Sequence, residues 1–298
     1  MNKWYQQREQ SAGKIRLEIL WFVYKIFGIR VLKLITYPVV VVISLFAKPG
    51  VKASKKYRKI LNSYQQNHGL KESRFSSVSH IYTFACAMID KMSASCDKKS
   101  KIKFEINKNK DWYEFQKLLG NNVGVFLICS HLGNIEALSA FSGAKTMHAF
   151  MQITQNKTFH NFMMQHNNTK NTLLHSTENI NIATAAEMFE NLKKGDLVMM
   201  AGDRTSPNTP QKNETVKILG KNCQIPIGTF KFARAESCPV FAICLMNITH
   251  EKYKIYVKKI AIESTKSAIQ EYAKFLEKLI LLYPKQWFNF FDFFENTK

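Results

Sequence analysis

With 298 residues, 46% hydrophobic and 12% aromatic, the chain is long enough to bury a large core and too apolar for wholesale disorder. Its formal charge of +21 is uneven: residues 1–60 hold thirteen Lys and Arg against Glu9 and Glu18, so about half of the excess lies in the first fifth. Zinc-finger spacing, an RNP-like aromatic strand and a heptad-backed basic helix are all missing, which argues against nucleic acid as the partner.

The first element is "ILWFVYKIFGIRVLKLITYPVVVVISLFAK", where cations alternate with long apolar side chains. That composition suits an anionic bilayer surface; a solvated basic face and a buried core helix with basic neighbours are the alternatives. Fourteen uncharged residues separate Lys33 from Lys48, interrupted by Pro38. As a helix they reach about 21 Å, short of a hydrocarbon core of about 30 Å. If Arg30 and Lys33 snorkel, the stretch starts near Ile26 and reaches 22 residues, just enough to span. A cleavable signal peptide is excluded by the depth of the segment and the missing small-residue cleavage site. The expectation is a helix or helix pair embedded in one leaflet, with residues 1–50 as a membrane-associated segment and 51–298 as the catalytic domain.

Helices are expected next at "KASKKYRKILNSYQQNHGL" and "FSSVSHIYTFACAMIDKM", the second with an apolar face at helical spacing. "NNVGVFLICS" is a turn signal followed by a short apolar run, a strand buried on both faces. "NIATAAEMFENLKKG" predicts a helix with Lys193 and Lys194 in its last turn and Gly195 as C-cap. "DLVMMAGDR" and "PVFAICLM" are two more buried strands, "YKIYVKK" alternates like an edge strand, and "TKSAIQEYAKFLEKLILLYP" is a helix stopped by Pro284. Short buried strands alternating with helices predict an α/β fold with a mostly parallel sheet flanked by helices. The six cysteines lack metal spacing and read as reduced, packed thiols.

Ligands in such sheets bind off the carboxyl ends of the strands. Two polar clusters stand at such ends, Ser130-His131 and Gly202-Asp203-Arg204. Gly133 and Asn134 follow His131 and predict a turn into a helix, with Glu136 in its first turn, where the helix dipole favours a carboxylate. In one continuous helix, residues five apart diverge by about 140°, so His131 and Glu136 meet only if His131 lies outside the helix and folds back. The carboxylate would then fix the imidazole tautomer while the other ring nitrogen takes a proton. A hydrogen-bonded structural histidine is the competing reading. No zinc spacing, G-x-S-x-G elbow, G-x-x-x-x-G-K-[ST] loop or G-x-G-x-x-G turn is present, so metal, covalent serine and nucleotide chemistry lack their usual parts.

"SHLGNIE" resembles the H-x-x-x-x-[D/E] motif of the lysophospholipid acyltransferase superfamily. The chain is most similar to its bacterial lipid A acyltransferase branch and to the related predicted acyltransferases of aryl-polyene clusters. The resemblance is carried in order by "YPVVVVISLFA", "FACAMIDK", "CSHLGNIEAL", "MAGDRT", "VKILGKNCQIPIGTFKFARAESCPVFA" and "YPKQWFNFFDFF", covering nearly the whole chain. It implies acyl transfer, without a bound cofactor or metal, from an acyl carrier protein or coenzyme A thioester to a lipid or glycolipid acceptor. The place implied is the cytoplasmic face of a bacterial inner membrane, on anionic lipids.

By the same resemblance His131 is the general base, Glu136 its orienting carboxylate, and Asn134, Asp203 and Arg204 substrate-side residues. Gly220, Pro226 and Gly228 would shape the crevice wall. For Arg204 a structural ion pair is the alternative, and Phe126, Phe141, Phe150 and Phe230 are either an acyl groove or ordinary core. The Glu of the motif points to the lipid A-like branch, whereas the ending "QWFNFFDFF" is closer to the pigment-cluster type. That tail reads as packing, with Asn289 and Asp292 as its polar exceptions. A non-catalytic lipid- or carrier-binding protein that keeps the fold is the rival function.

Overall fold

A computed structural model describes residues 13–97, 100–134, 145–151, 157–166, 171–178, 180–205, 211–249 and 251–294. Three helices open the chain: α1 (Lys14–Phe46), α2 (Lys48–Asn67) and α3 (Ser77–Cys96). The sheet strands are β1 (Lys103–Ile106), β2 (Val125–Cys129), β3 (Met147–Met151), β4 (Thr172–Ser176), β5 (Leu197–Ala201), β8 (Val240–Thr249) and β9 (Lys252–Lys259). They lie in the order β1-β9-β8-β2-β5-β3-β4. From β8 to β4 all neighbours are parallel; β9 runs antiparallel to β8, and β1 runs parallel to β9. The expected α/β architecture with a mostly parallel sheet is therefore observed.

Both faces of the sheet are covered. On one, Phe126, Ile128, Val198 and Met200 pack with α8 (Thr265–Leu282), α7 (Ile227–Ala235), α6 (Ile182–Lys193) and part of α2. On the other, Leu127, Cys129, Met199, Phe241 and Tyr253 pack with Trp112 and Phe115 of α4 (Lys110–Gly120). The continuous burial of "VFLIC" and "LVMM" follows from this double cover. Phe126, Phe150 and Phe230 belong to the first core cluster, while Phe141 lies outside the described residues. A separate antiparallel pair, β6 (Asn213–Ile218) and β7 (Lys221–Pro226), turns at Leu219-Gly220, both with positive φ. After α6, Lys194 is the cap and Gly195 follows with φ 91°.

One expectation is corrected. "YKIYVKK" is not at the edge: β9 lies between β8 and β1. Its alternation reflects full burial of Tyr253, Ile255 and Val257 on one face against the partial burial of Lys254, Tyr256 and Lys258 on the other.

The first helix is long and apolar enough to cross a membrane, and among the described residues most of its apolar side chains are not buried. Leu34, Leu45 and Phe46 are among the most exposed, whereas Leu17, Tyr24, Leu32 and Val40 are buried. Gly28 (φ 78°, ψ 175°) breaks the helical backbone, so α1 is a pair of helices joined at a kink. Its first half seats on α3 and on α5 (Lys157–His166): Tyr24 Oη donates to Asp97 Oδ2 at 2.7 Å, and Trp21 packs edge-on to Phe162. Arg30 is exposed, as snorkelling requires, but Lys33 is turned inward and 6% exposed, paired with Asp90 at 2.5 Å.

The C-terminal tail is tied to the helices. Tyr57 Oη donates to Pro284 O at 2.8 Å, Lys56 pairs with Asp292 at 2.5 Å, and His80, fully buried on α3, meets Trp287 O through Nε2 at 3.0 Å. Ser54 Oγ lies 3.0 Å from His80 Nδ1. Burial pushes the His80 pKa down to about 4, against the opposing effect of the bond to Trp287 O. The folded protein thus holds a neutral ring, Nε2–H donating and Nδ1 accepting. An unfolded histidine titrates near 6.5, so between about 6.5 and 4 the unfolded chain binds a proton that the folded one refuses. Stability is expected to fall by up to about 3 kcal/mol as pH drops through that window. Thermal unfolding of His80→Gln, which keeps a donor and an acceptor without a titrating ring, should be less sensitive between pH 7 and pH 5. An unchanged pH slope would contradict the assignment.

Candidate active site

The two polar clusters read from the sequence lie side by side. Strands β2 and β5 are parallel neighbours with Cys129 opposite Ala201, so Ser130-His131 and Gly202-Asp203-Arg204 leave the sheet together at its carboxyl edge. The strand ends are fixed: Cys129 O accepts from Gly202 N–H (2.9 Å) and Tyr272 Oη (2.7 Å), and Ala201 O accepts from Thr229 Oγ1 (2.8 Å). Gly202 is required here, because a Cβ would stand 2.7 Å from Ile128 Cγ2.

His131 is joined to Asp203 twice. Its backbone N–H donates to Oδ2 at 2.9 Å, and its Nδ1 lies 2.9 Å from Oδ1. The His131 side chain is 36% exposed while Asp203 is wholly buried. Burial alone would raise the Asp203 pKa; the charge and hydrogen bonds of His131 and the charge of Arg204 outweigh it and hold the carboxyl below its ordinary range. An ionised carboxylate can only accept, so Nδ1 carries a proton, and in the neutral ring the lone pair is then on Nε2.

A second layer runs through the tail. Asn289 Nδ2 donates to Asp203 Oδ2 at 3.2 Å, and Asn289 Oδ1 accepts from Arg204 Nε at 3.0 Å. Arg204 also donates from Nη2 to Phe288 O at 3.1 Å and lies over the Phe291 ring. The tail strand itself is stitched to the histidine turn, Phe288 N–H to His131 O and Gly133 N–H to Gln286 O, both at 2.8 Å. Gly133 has φ 77°, and a Cβ there would meet Leu245 O at 2.1 Å. Arg204 thus reaches Asp203 through Asn289, and its charge also acts on that carboxylate.

The remaining site residues divide. Asn134, expected on the substrate side, is buried, with Nδ2 donating to Ala87 O (2.9 Å) and Tyr253 Oη (3.3 Å). Pro226 and Gly228 stand at the start of α7, beside the Thr229 contact to β5, and Gly228 faces open space. Gly220 sits in the β6–β7 turn near the Tyr64 ring of α2. Glu136 lies outside the described residues. The N–H groups of His131, Leu132, Gly133 and Asn134 are taken by Asp203, Ser130 Oγ, Gln286 O and Leu245 O. Among the described residues, those four backbone donors are therefore committed within the fold, and Arg204 is the cation nearest the pair by hydrogen bonding.

A family model described as bacterial lipid A biosynthesis acyltransferase matches residues 20–295, nearly the whole chain. The chain belongs to that family. No curated protein matches it. Membership in the lipid A acyltransferase family makes lipid acyl transfer its activity at the level of the family. The match runs through α1, both strand-end clusters and the tail, so the segments that build the His131–Asp203–Asn289–Arg204 network all lie within it. Sequence reasoning named His131, Asp203 and Arg204 but not the bond between the first two. Asn289 was visible only as a polar exception in an aromatic tail.

Proposed function

We propose that this protein moves a fatty or related polyene acyl chain from an acyl carrier protein or coenzyme A thioester to a hydroxyl or amine of a membrane lipid or glycolipid, without a covalent acyl-enzyme. The observation that carries this reading is the buried Asp203 carboxylate on Nδ1 of a partly exposed His131, an arrangement in which Nε2 of the neutral ring can serve as the base. Nε2 takes the acceptor proton as the acceptor oxygen or nitrogen bonds to the thioester carbonyl carbon. Arg204 stabilises the oxyanion of the tetrahedral intermediate. The carbon–sulfur bond then breaks, and the departing thiolate recovers the proton from the imidazolium.

Asp203 holds the tautomer and the charge that develops on the ring; Glu136 is the second carboxylate of the motif, five residues past the base. Pro226 and Gly228 border the crevice from α7, and Gly220 supports the hairpin behind it. The exposed apolar face of α1 would enter the bilayer at the cytoplasmic face of the inner membrane. Lys14, Arg16 and Arg30 before the apolar stretch and Lys48, Lys52 and Lys55 after it are exposed and would meet anionic headgroups. The net charge of +21 would also steer an acidic carrier protein.

The test is thiol release from a panel of carrier-protein and coenzyme A thioesters of different chain length, with a bacterial lipid extract as acceptor and mass spectrometry of the products. Release that requires the extract, with a matching acylated lipid, is expected and names donor and acceptor. Thioester binding without release under every pairing would favour a lipid- or carrier-binding protein that keeps the fold.

A further inference from the structure

A buried polar line connects α1 to the turn after His131. Lys33 Nζ lies 2.5 Å from Asp90 Oδ1 on α3. The other carboxylate oxygen accepts from Tyr253 Oη of β9 at 2.6 Å, and Tyr253 Oη accepts in turn from Asn134 Nδ2 at 3.3 Å. Tyr82 of α3 closes the near end by donating from Oη to Lys33 O at 3.1 Å. Lys33, Asp90, Tyr253 and Asn134 are all buried.

An ion pair of this kind is a poor way to fasten a helix. Removing two charges from water costs several kcal/mol each, and a packed apolar pair of similar volume is commonly as stable or more so. What the polar line supplies that an apolar contact does not is direction, in the hydrogen bonds from Tyr253 to Asp90 and from Asn134 to Tyr253. Its far end is Asn134, three residues after His131, whose backbone N–H is fixed to Leu245 O at 2.8 Å.

We propose that Lys33, Asp90 and Tyr253 are positioning residues for the reaction, which add the seating of α1 on α3 to the contacts with Ala87 O and Leu245 O that hold Asn134 and thereby the His131 turn. The ion pair aims the Tyr253 hydroxyl, the hydroxyl aims the Asn134 amide, and Asn134 sets the path of the chain leaving His131. Membrane engagement of α1 and competence of the base are thus coupled. The kinetic consequence rests on the acyl-transfer reading; the structural one does not.

The experiment uses the full chain in detergent micelles and two variants. Tyr253→Phe removes one hydroxyl and keeps the ring; Lys33→Met with Asp90→Leu removes both charges and leaves neither buried alone. Hydrogen–deuterium exchange of the segment 130–134 is read beside kcat and KM for an acyl thioester. Exchange in that segment is expected to rise about fivefold in both variants with β5 unchanged. The kcat is expected to fall about tenfold or more with KM within about twofold, even where the double variant unfolds at the wild-type temperature. Unchanged exchange overturns the proposal, as does full kcat in variants whose exchange has risen. If wild type transfers no acyl group, the acyl-transfer reading fails and the exchange result alone decides whether the line positions the turn.

Discussion

His131→Ala is expected to lower kcat for acyl transfer by about 10³- to 10⁴-fold, or roughly 4 to 5.5 kcal/mol of transition-state stabilisation. In the proposed mechanism the acceptor hydroxyl or amine loses a proton as it attacks, and Nε2 would be the base, with Nδ1 held by Asp203. KM for the thioester should change little, because the ring takes part in proton transfer more than in binding the acyl chain. The variant should stay folded. Asp203 loses its Nδ1 partner but keeps the His131 backbone N–H and the Asn289 amide, so a loss of about 1 to 2 kcal/mol is expected. Circular dichroism and thermal unfolding establish the fold, and thiol release measures the rate. Near-normal turnover in a folded His131→Ala protein would remove the base assignment.

How the site was readable from sequence differs from part to part. The strand "VFLIC" and the strand "LVMM" were visible as uninterrupted apolar runs, each released into a polar cluster. That pattern alone placed His131 and Asp203-Arg204 at strand ends. The pairing of the two ends required the strand order, in which β2 and β5 are neighbours although 72 residues separate His131 from Asp203. A short-range spacing therefore drew attention to Glu136, while the longer-range carboxylate entered as a substrate contact.

The tail failed for a related reason. "WFNFFDFF" has the composition of packing, and most of it is packing; Trp287, Phe293 and Phe294 are core residues. Only the three-dimensional path brings Asn289 between Asp203 and Arg204. Lys33 shows the opposite limit. In sequence a lysine inside an apolar stretch is free to snorkel, and nothing local reveals that Asp90, from another helix, draws it inward.

The same pairing yields a second large effect, at Asp203. Its carboxylate accepts from the His131 backbone N–H, the His131 Nδ1–H and the Asn289 amide. An asparagine at this position has one oxygen and one NH₂ group for three donors. If the NH₂ faces Nδ1, the ring must accept there, its proton moves to Nε2, and the base can no longer take a proton from the acceptor. If the NH₂ faces the backbone N–H or Asn289, two donors oppose each other in a buried place, at a cost of about 1 to 3 kcal/mol. Asp203→Asn is therefore expected to lower kcat by about 10²- to 10⁴-fold, with a lowered unfolding temperature in the second arrangement.

The acid limb carries the sign. The folded carboxyl lies below its ordinary value, so its contribution is present above the ordinary carboxylate range and is lost only as pH falls beneath it. The variant should lack that part of the acid unfolding. Glu136→Gln, measured beside it, separates the two carboxylates: a larger loss at Asp203→Asn makes Asp203 the residue that orients the base. A larger loss at Glu136→Gln with near-normal Asp203→Asn would return that role to the short-range spacing of the motif.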